Sequence, residues 1–348
     1  MIIYVIISAP GRVNILGNPT DALEGAYAVI SAAISLRAYV KINEGERNIP
    51  PLFENCLQVL KKYFPEEYSR VEENALEVDY WTEVPREAGL AGSTALMVAF
   101  MHGIREYFKL NKRKLNDYIL AELVQRAEEA AGITCGYADR YVCTIGGLAY
   151  MDFRGKLYHR PLRKEPLATY ERLDMYVDYI PLIIAYLGVR RNSGSVHKKF
   201  RSAYMAELKL VKKGRLNPRK AKILKAMRIA GLTAMKGKYA LLEENWEEFG
   251  RLMNINHKWV NIAMKLAGFE HGAGYYNNAV INYALKNGAL GAKLSGAGGG
   301  GSVIILTEPG KEKSLAEKIA KYMKFLGLFS SKIFFFELSK EGAKTEEI

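Results

Sequence analysis

The 348-residue sequence has few of the residues that build disulfide frameworks and metal clusters. Its three cysteines, Cys56, Cys135 and Cys143, form no close pair, which excludes a disulfide-stabilised scaffold and a CxxC zinc site. Its five histidines are scattered, and none has the spacing of a zinc motif such as HExxH. The sequence therefore predicts a protein of a reducing compartment, the cytoplasm, without structural zinc.

Long hydrophobic runs are also missing. No apolar stretch reaches the roughly 18 residues that a membrane helix needs. The first eight residues are apolar but lack a basic leader, and they predict a strand rather than a signal peptide. Because 49% of the residues are hydrophobic and 25% are charged, the chain can bury a large core. Its length of 348 residues favours about two domains.

Acidic residues are nearly absent from one segment, and this accounts for the formal net charge of +13. Residues 190–228 contain fourteen Lys or Arg and one acid, Glu207, while the rest of the chain has 36 basic and 36 acidic residues. Such a segment is typical of a solvated helix face or of a rim that attracts an anionic ligand, and nucleic-acid binding is the less favoured alternative. We expect no nucleic-acid partner and no membrane partner.

The hydrophobic pattern predicts strands and helices in both halves of the chain. The predicted strands lie at 2–8, within 25–42 as two strands with a turn, at 75–81, over 141–158 as strand–turn–strand, from about 175, within 290–306 and at the closing KIFFFEL. The predicted helices lie at 51–63, 93–109, 115–131, 195–212, 218–237, 245–264, 275–287 and 314–325. Residues Pro10–Asp21 are predicted to form a loop. Mixed elements in both halves predict two α/β or α+β domains packed into one body.

A glycine-rich turn, Pro85–Ala95, leads into the helix predicted at 93–109. Gly89 and Gly92 let the backbone approach a ligand, and Ser93 and Thr94 stand at the helix start, where N–H groups and the helix dipole attract phosphate. The turn lacks the Gly-Lys-Ser/Thr of a Walker A loop. It is therefore either a phosphate loop of another kind or a plain helix cap.

Two further stretches combine glycine with charged residues. Ser295–Ser302 has five glycines in six positions, which indicates close backbone packing against a nucleotide or against the first glycine loop rather than a flexible linker. In Pro10–Asp21, Arg12 and Asp21 either pair with each other or serve a ligand, Arg12 by stabilising negative charge and Asp21 by holding sugar hydroxyls.

Two more carboxylates stand in or shortly after the helix predicted at 115–131. Glu128 stands near the end of the helix predicted at 115–131, and Asp139 follows shortly after it. A carboxylate can bind Mg²⁺, and an Asp beside a cation can act as a base or as an electrostatic stabiliser. Solvated surface carboxylates are the alternative for both.

Together these stretches resemble the three signature motifs of the GHMP kinase family. The family's PGRVNLIGE-like segment is similar to Pro10–Asp21, its P-x-x-x-G-L-x-S-S-A loop to Pro85–Ala95, and its S-G-x-G-G-G segment to Ser295–Gly300. The resemblance spans nearly the whole chain. Within the family the sequence is most similar to glucuronokinases, through the segment Gly17–Asp21 and through the run Gly132–Phe153.

The resemblance implies an α+β fold with two domains. The N-terminal domain, residues 1–176, would be ribosomal S5 domain 2-like, and the C-terminal domain, residues 177–348, would be ferredoxin-like. ATP would lie between them. Its phosphates would lie over the loop residues Gly89, Leu90, Ala91, Gly92, Ser93, Thr94 and Ala95.

The resemblance also implies roles for individual side chains. Thr94, Ser93 and Glu128 would hold Mg²⁺. Asp139 would stand near the acceptor hydroxyl as base or charge stabiliser, and Arg12 would orient Asp139 or stabilise the transferring phosphoryl group. The acceptor site would also include Asn18, Asp21, Arg191 and Gly298. Arg190 and His197 are alternative cations for an anionic acceptor.

The implied activity is ATP-dependent phosphorylation of a small molecule, with the anomeric hydroxyl of glucuronate as the expected acceptor. A galactokinase or another sugar or mevalonate-type kinase is the alternative acceptor class. A non-catalytic sensor that binds ATP and sugar on the same fold is the alternative of another kind. The sequence leaves the oligomeric state open between monomer and homodimer.

Overall fold

The computed structural model describes residues 4–23, 27–156, 161–190 and 193–346. Its strands are β1 (Tyr4–Leu16), β2 (Ala28–Glu44), β3 (Leu76–Thr82), β4 (Leu148–Asp152), β5 (Thr169–Arg172), β6 (Leu182–Tyr186), β7 (Gly291–Leu294), β8 (Ser302–Leu306), β9 (Lys332–Phe335) and β10 (Lys344–Thr345). Its α-helices are α1 (Pro51–Tyr63), α2 (Pro65–Glu72), α3 (Gly92–Tyr107), α4 (Asp117–Ala130), α5 (Ala138–Ile145), α6 (Ser193–Lys212), α7 (Lys222–Leu242), α8 (Trp246–Leu266), α9 (Tyr275–Lys286) and α10 (Glu312–Phe325).

The first sheet is organised around β2, which pairs with three other strands. β1 lies antiparallel to β2 along its length, β4 pairs with the first part of β2, and β3 pairs with its last part. The order is β10-β1-β2-β4-β5, with β3 as a branch on β2. The first part of β1 contributes Val5 and Ile7 to a core with α1, α3 and α4, whereas Val13 and Ile15 join a second core with α7, α8 and the other sheet. Arg12 therefore lies where the two cores meet.

Two predictions for this region are wrong. Residues 25 and 26 lie outside the described residues, and the rest of the stretch 25–42 does not form two strands, because β2 runs unbroken from Ala28 to Glu44. Pro10–Asp21 is not a loop throughout, because β1 continues to Leu16. Its register shifts between Pro10 and Arg12 and again between Asn14 and Leu16, which is the behaviour of β-bulges. The turn-forming residues are accommodated as irregularities within a paired strand, so Arg12 and Asn14 are carried on a rigid element.

A third prediction is strand–turn–strand over 141–158, of which residues 157 and 158 lie outside the described residues; in the described part it is correct only for β4. The first part forms helix α5, although Val142, Thr144 and Ile145 have high strand propensity. Packing of Tyr141 and Val142 in a core with β4 overrides that propensity. Gly146 and Gly147 follow with φ of +81° and +76°, and this left-handed backbone ends the helix and turns the chain into β4.

The second sheet is antiparallel, with the order β7-β8-β6-β9. α9 and α10 pack on one face of it around Ile183, Val303 and Ile305. On its other face, Ile184 and Ile304 share the core that includes α7, α8 and the end of β1. The predicted helices of this half are present, with ends shifted by at most a few residues. The predicted α+β class is confirmed.

The end of the chain returns to the first sheet. β10 pairs with β1, and the Ser35 and Gly147 amides donate to the Glu337 and Ser339 carbonyls. Arg37 donates to the Gly342 carbonyl at 2.6 Å. The division into 1–176 and 177–348 stays a prediction, and in the structure the last ten described residues pack with the first part of the chain.

Candidate active site

The centre of the site is an ion pair between Arg12 on β1 and Asp139 in the first turn of α5. Arg12 Nε donates to Asp139 Oδ1 at 2.5 Å, and a second guanidinium nitrogen contacts Oδ2. A third donor, Arg12 Nη1, reaches the Gly89 carbonyl at 2.6 Å. Burial alone would lower the pKa of Arg12, but the Asp139 carboxylate outweighs it and the pKa is raised. Arg12 is thus a fixed cation that joins Asp139 to the first glycine loop.

Asp139 keeps some access to the cavity while being surrounded by donors. Its side chain is 17% exposed. Asn14 Nδ2 lies 3.4 Å from Oδ1, and Arg140 Nη1 lies 4.0 Å from Oδ2. Asn14 is oriented in turn by Ser31, whose hydroxyl donates to Asn14 Oδ1 at 2.6 Å. These contacts hold the Asp139 side chain in one orientation at the cavity wall.

Asp21 lies at the start of α5, close to Asp139. It belongs to a 3-10 turn, Thr20–Ala22, and its Oδ2 accepts the Ala138 amide at 3.0 Å. A Cβ at Gly136 would come within 2.0 Å of that oxygen, so only glycine fits there. Burial raises the pKa of Asp21, and the Asp139 charge raises it further. The structure therefore places a second carboxyl group on the same wall.

The first glycine loop ends in the N-terminus of α3. Gly89 and Ala91 have φ of +68° and +63°, and the first helical bond runs from the Ala95 amide to the Ala91 carbonyl at 2.8 Å. The amides of Gly92, Ser93 and Thr94 therefore have no partner within the helix. Together with the helix dipole they form an anion-binding end.

The two glycine loops pack against each other. A Cβ on Gly296 would lie 3.0 Å from the Gly89 Cα, and a Cβ on Gly301 would lie 3.0 Å from the Ala88 carbonyl oxygen. This confirms that glycines of Ser295–Ser302 serve close backbone packing against the first loop. The glycine-rich segment Ser295–Ser302 therefore restricts the position of the loop Pro85–Ala95, which leads into α3.

The buried side chains of Thr94 and Glu128 provide oxygen atoms that could bind a metal ion near the start of α3. Thr94 Oγ1 donates to Glu128 Oε1 at 3.0 Å, and Glu128 Oε2 contacts Arg140 and the Cys135 thiol. Ser93, the neighbouring hydroxyl, is exposed. Within the described ranges no cluster of three or more His, Cys, Asp or Glu residues could hold a metal by itself. One carboxylate and one or two hydroxyls suit Mg²⁺, which takes few protein ligands and completes its shell with phosphate oxygens and water.

These groups share one cavity of about 540 Å³, a volume typical of small-molecule sites. The predicted site residues that line it are Arg12, Asn18, Asp21, Gly89, Ala91, Gly92, Ser93, Thr94, Glu128 and Asp139. His197 on α6 lines it too.

Three of the predicted positions that the structure describes are not part of this lining. Leu90 and Ala95 are buried beside it, and the Leu90 carbonyl accepts the Arg12 amide at 3.0 Å. Gly298 is buried, and a Cβ added there would lie 2.6 Å from the Ala273 carbonyl oxygen. Arg191 lies outside the described residues. Arg190, its alternative, is exposed and does not line the cavity.

Lys293 is the clearest residue that sequence reasoning missed. It lies on β7 with 1% exposure, and its Nζ donates to Asn18 Oδ1 at 2.6 Å, to the Leu294 carbonyl at 2.7 Å and to the Asn14 carbonyl at 3.0 Å. Asn18 Nδ2 in turn reaches the Ser295 carbonyl at 3.2 Å. Lys293 therefore ties β7 to the end of β1. The only signal in the sequence is a lysine inside an otherwise apolar strand.

Comparison with known families agrees with this arrangement. The profile of the GHMP kinases N terminal domain matches residues 52–147, and that of the GHMP kinases C terminal domain matches residues 238–325. The chain belongs to the GHMP kinase family. A third profile, the galactokinase galactose-binding signature, matches residues 3–44 of this GHMP kinase and so covers Arg12, Asn18 and Asp21.

Curated relatives of this GHMP kinase act on different acceptors. It is 26% identical to glucuronokinase 1 of Arabidopsis thaliana, over 89% of this chain and 87% of that protein. It is 27% identical to the galactokinase of Thermotoga maritima (92% and 95% covered) and 27% identical to the mevalonate kinase of Pyrococcus horikoshii (100% and 99% covered).

Solved structures support the two-domain GHMP kinase fold. Lactococcus lactis galactokinase complexed with galactose superimposes with a TM-score of 0.75 at 16% identity, covering 99% of this chain and 95% of that one. L. major mevalonate kinase in complex with R-mevalonate superimposes with a TM-score of 0.66 at 18% identity, covering 95% of each chain. Among the described residues, no helix is both long and apolar enough to cross a membrane.

Proposed function

We propose that this GHMP kinase transfers the γ-phosphoryl group of ATP to a hydroxyl of a uronic acid, with the anomeric hydroxyl of glucuronate as the leading acceptor. The observation that carries the proposal is the Arg12–Asp139 pair in the same cavity as the N-terminus of α3. Phosphoryl transfer depends mainly on positioning and on neutralising charge. This cavity combines an anion-binding helix end with a fixed cation and a carboxylate.

The nucleotide side is assigned to the loop Gly89–Ala95. The amides of Gly92, Ser93 and Thr94 would bind phosphate oxygens, and the positive end of α3 would stabilise their charge. Thr94 and Glu128, with Ser93 beside them, would hold Mg²⁺, which when bound neutralises phosphate charge. Glu128 Oε2 stays paired with Arg140, so Oε1 is the oxygen that faces Thr94 and the cavity.

The acceptor side is assigned to Asp139, Asp21 and Asn18. Asp139 would accept the proton of the attacking hydroxyl at a carboxylate oxygen, or stabilise the hydroxyl as it loses that proton. Arg12 holds Asp139 by two contacts and supplies positive charge beside the glycine loop, where negative charge accumulates during transfer. Asp21 and Asn18 would bind the acceptor's other hydroxyls.

Two observations support an anionic acceptor. Glucuronokinases are among the curated relatives, and the basic segment 190–228 begins next to α6, whose His197 lines the cavity. A planar Arg fork at Arg191 would suit a carboxylate, whereas Arg190 does not line the cavity. Galactose is the second candidate, favoured by the galactose-binding signature over residues 3–44. The three free cysteines, all buried, are consistent with a cytoplasmic enzyme.

A coupled assay for ADP release tests the proposal with ATP, Mg²⁺ and a panel of glucuronate, galacturonate, galactose and mevalonate. We expect the highest kcat/KM for glucuronate, and we expect Asp139→Asn to lower kcat by about 10²–10⁴-fold. Asp178→Asn, at a side chain that is 90% exposed, is the matched control and should leave kcat unchanged. Preference for galactose would replace the acceptor assignment, and ATP binding without turnover on any acceptor would favour the sensor alternative.

A further inference from the structure

A short turn follows β3 and precedes the glycine loop of α3. The Ala88 amide donates to the Pro85 carbonyl at 3.4 Å, which closes a four-residue turn with Arg86 and Glu87 at its tip. Ala88 is 1% exposed, and the Tyr186 hydroxyl donates to the Arg86 carbonyl at 3.4 Å. The backbone of the turn is therefore anchored, while the two residues at its tip are exposed.

Glu87 has a backbone conformation that residues other than glycine rarely adopt. Its φ is +54°, in the left-handed region that favours glycine. Residues held in such conformations cluster at active sites and ligand-binding loops, where the surrounding structure maintains the strain. Arg86 and Glu87 both line the cavity that contains the Arg12–Asp139 ion pair. The turn is thus a strained part of the cavity wall, and it carries a cation.

The cavity wall has little positive charge that is not already paired. Among its described lining residues no lysine occurs, and the guanidinium groups are those of Arg12, Arg86 and Arg140. Arg12 is paired with Asp139, and Arg140 is paired with Glu128. In the part of the chain that the structure describes, the Arg86 side chain forms no ion pair and donates no hydrogen bond. Its guanidinium can therefore meet an anionic ligand without breaking a contact of the protein.

We propose that Arg86 binds the phosphate chain of the nucleotide, in addition to the amides at the N-terminus of α3. This inference rests on the function proposed above, in which the loop Gly89–Ala95 holds the phosphates. Arg86 precedes Gly89 by three residues and lines the same cavity, so its side chain starts close to the phosphate position. The planar donors of a guanidinium match two phosphate oxygens, and a charged donor binds them more strongly than a neutral amide does.

The position of the turn favours the nucleotide over the acceptor as the partner of Arg86. The acceptor side is assigned to Asn18, Asp21 and Asp139, which are carried by the segment after β1 and by α5. Arg86 instead belongs to the segment that runs directly into the phosphate-binding loop. An acceptor carboxylate is the other anion that could meet this side chain. Nucleotide binding measured without any acceptor distinguishes the two.

Isothermal titration calorimetry of the full chain with ADP and ATP, in the presence of Mg²⁺ and without acceptor, tests the proposal. Arg86→Gln should raise both dissociation constants by at least about tenfold, because a charged contact to phosphate is lost. Arg86→Lys should restore part of the affinity, because it keeps the charge but not the planar fork. Arg113→Gln, at an exposed arginine that does not line the cavity, is the matched control and should bind both nucleotides as the unchanged protein does.

Salt separates a phosphate contact from stacking of the arginine on the base. The ratio of the dissociation constants of Arg86→Gln and the unchanged protein should fall toward one as salt is raised, because a contact between exposed charges is screened. A ratio that does not change with salt would overturn the assignment to phosphate. So would dissociation constants for ADP and ATP that equal those of the unchanged protein.

Steady-state kinetics separate the nucleotide from the acceptor. In the ADP-release assay, Arg86→Gln should raise KM for ATP and leave KM for the acceptor unchanged. A rise confined to KM for the acceptor would overturn the proposal, because Arg86 would then serve the other substrate. ATP binding that is weakened in Arg86→Gln, together with no turnover by the unchanged protein on any acceptor, would contradict the proposed function but support this role of Arg86.

Discussion

At the residue scale, Arg12 connects three parts of the site that are far apart in the sequence. Its backbone amide binds the Leu90 carbonyl, and its side chain reaches the Gly89 carbonyl and both oxygens of Asp139. A guanidinium can make these contacts at once because its donors have a fixed planar geometry. A lysine has the same charge but concentrates it on one nitrogen, so the two side chains can be distinguished experimentally.

We expect Arg12→Lys to lower kcat by about 10²-fold, because a single ammonium cannot hold Asp139 at two oxygens and also reach the glycine loop. The measurement is ADP release with the acceptor that the unchanged enzyme prefers. Arg215→Lys, an exposed position in the basic segment, is the control and should not change kcat. A kcat equal to that of the unchanged enzyme in Arg12→Lys would mean that charge alone, not the bidentate contact, is what the site needs.

Lys293 is the second residue for which the structure predicts a measurable effect of substitution. Its Nζ lies within hydrogen-bond distance of three acceptors, and the side chain is buried. Lys293→Met keeps much of the side-chain volume but leaves the Asn14 and Leu294 carbonyls and Asn18 Oδ1 without this donor. We expect the free energy of unfolding to fall by about 2 kcal/mol, measured by urea denaturation. Lys213→Met, at an exposed position, is the control, and equal losses in the two variants would contradict the assigned role.

The free energy of unfolding that is lost in Lys293→Met should depend on pH, because the pKa of Lys293 differs between the folded and the unfolded chain. Burial, followed by the charge of Arg12, holds this pKa well below the usual value for a lysine. In the pH window between the folded and unfolded values, the unfolded chain binds the proton and the folded protein does not, so stability rises with pH. The stability difference between the unchanged protein and Lys293→Met should therefore grow as the pH is raised toward about 10.4.

At the scale of elements, the sequence predicts what depends on local pattern and misses what depends on contacts across the fold. The glycine loop before α3 is recognisable because its function lies in consecutive residues. The Arg12–Asp139 pair joins positions 127 residues apart. Only the family resemblance brings these two side chains together, since no local rule relates β1 to α5.

The errors have the same physical origin. α5 has the composition of a strand, and it is helical because Tyr141 and Val142 are buried on a shared core with β4. β1 contains proline and glycine, and pairing with β2 keeps it extended through two register shifts. The contact of Arg140 with Glu128 and that of Lys293 with Asn18 could not be predicted, because each depends on how neighbouring elements pack.

The contact between the two glycine loops predicts a nucleotide-specific defect. A Cβ introduced by Gly296→Ala would lie 3.0 Å from the Gly89 Cα, a backbone atom that can move only with its loop. We expect the loop before α3 to shift and KM for ATP to rise by roughly tenfold, with a smaller change in KM for the acceptor. Gly45→Ala, whose Cβ would have side-chain atoms of Glu77 and no backbone atom as its nearest neighbours, is the matched control. An unchanged KM for ATP in Gly296→Ala would show that the loop contact is not needed to position the nucleotide.

At the scale of the whole molecule, the two sheets share a hydrophobic core and are also connected by the segment after β9. The core that contains the end of β1 also contains residues of β6 and β8. The closing segment after β9 crosses back and adds β10 to the first sheet. The helix that carries Asp139 is therefore supported from behind by residues about 200 positions later in the chain.

The segment after β9 approaches α5 most closely at Gly342. Its added Cβ would lie 2.1 Å from the Thr144 carbonyl oxygen near the end of α5, and the Ala343 amide donates to the same oxygen at 3.1 Å. We expect Gly342→Ala to lower the free energy of unfolding by about 2 kcal/mol, because either the closing segment or α5 must move.

The same substitution should also lower kcat, although Gly342 does not line the cavity, because a displaced α5 changes the position of Asp139 relative to Arg12. Thermal unfolding and ADP release on the same samples provide the two measurements, with Gly45→Ala again as control. If Gly342→Ala lost stability but kept kcat, the movement would be confined to the closing segment, and α5 would be held in place by its own core instead. A loss of both would show that the end of the chain positions the helix that carries Asp139.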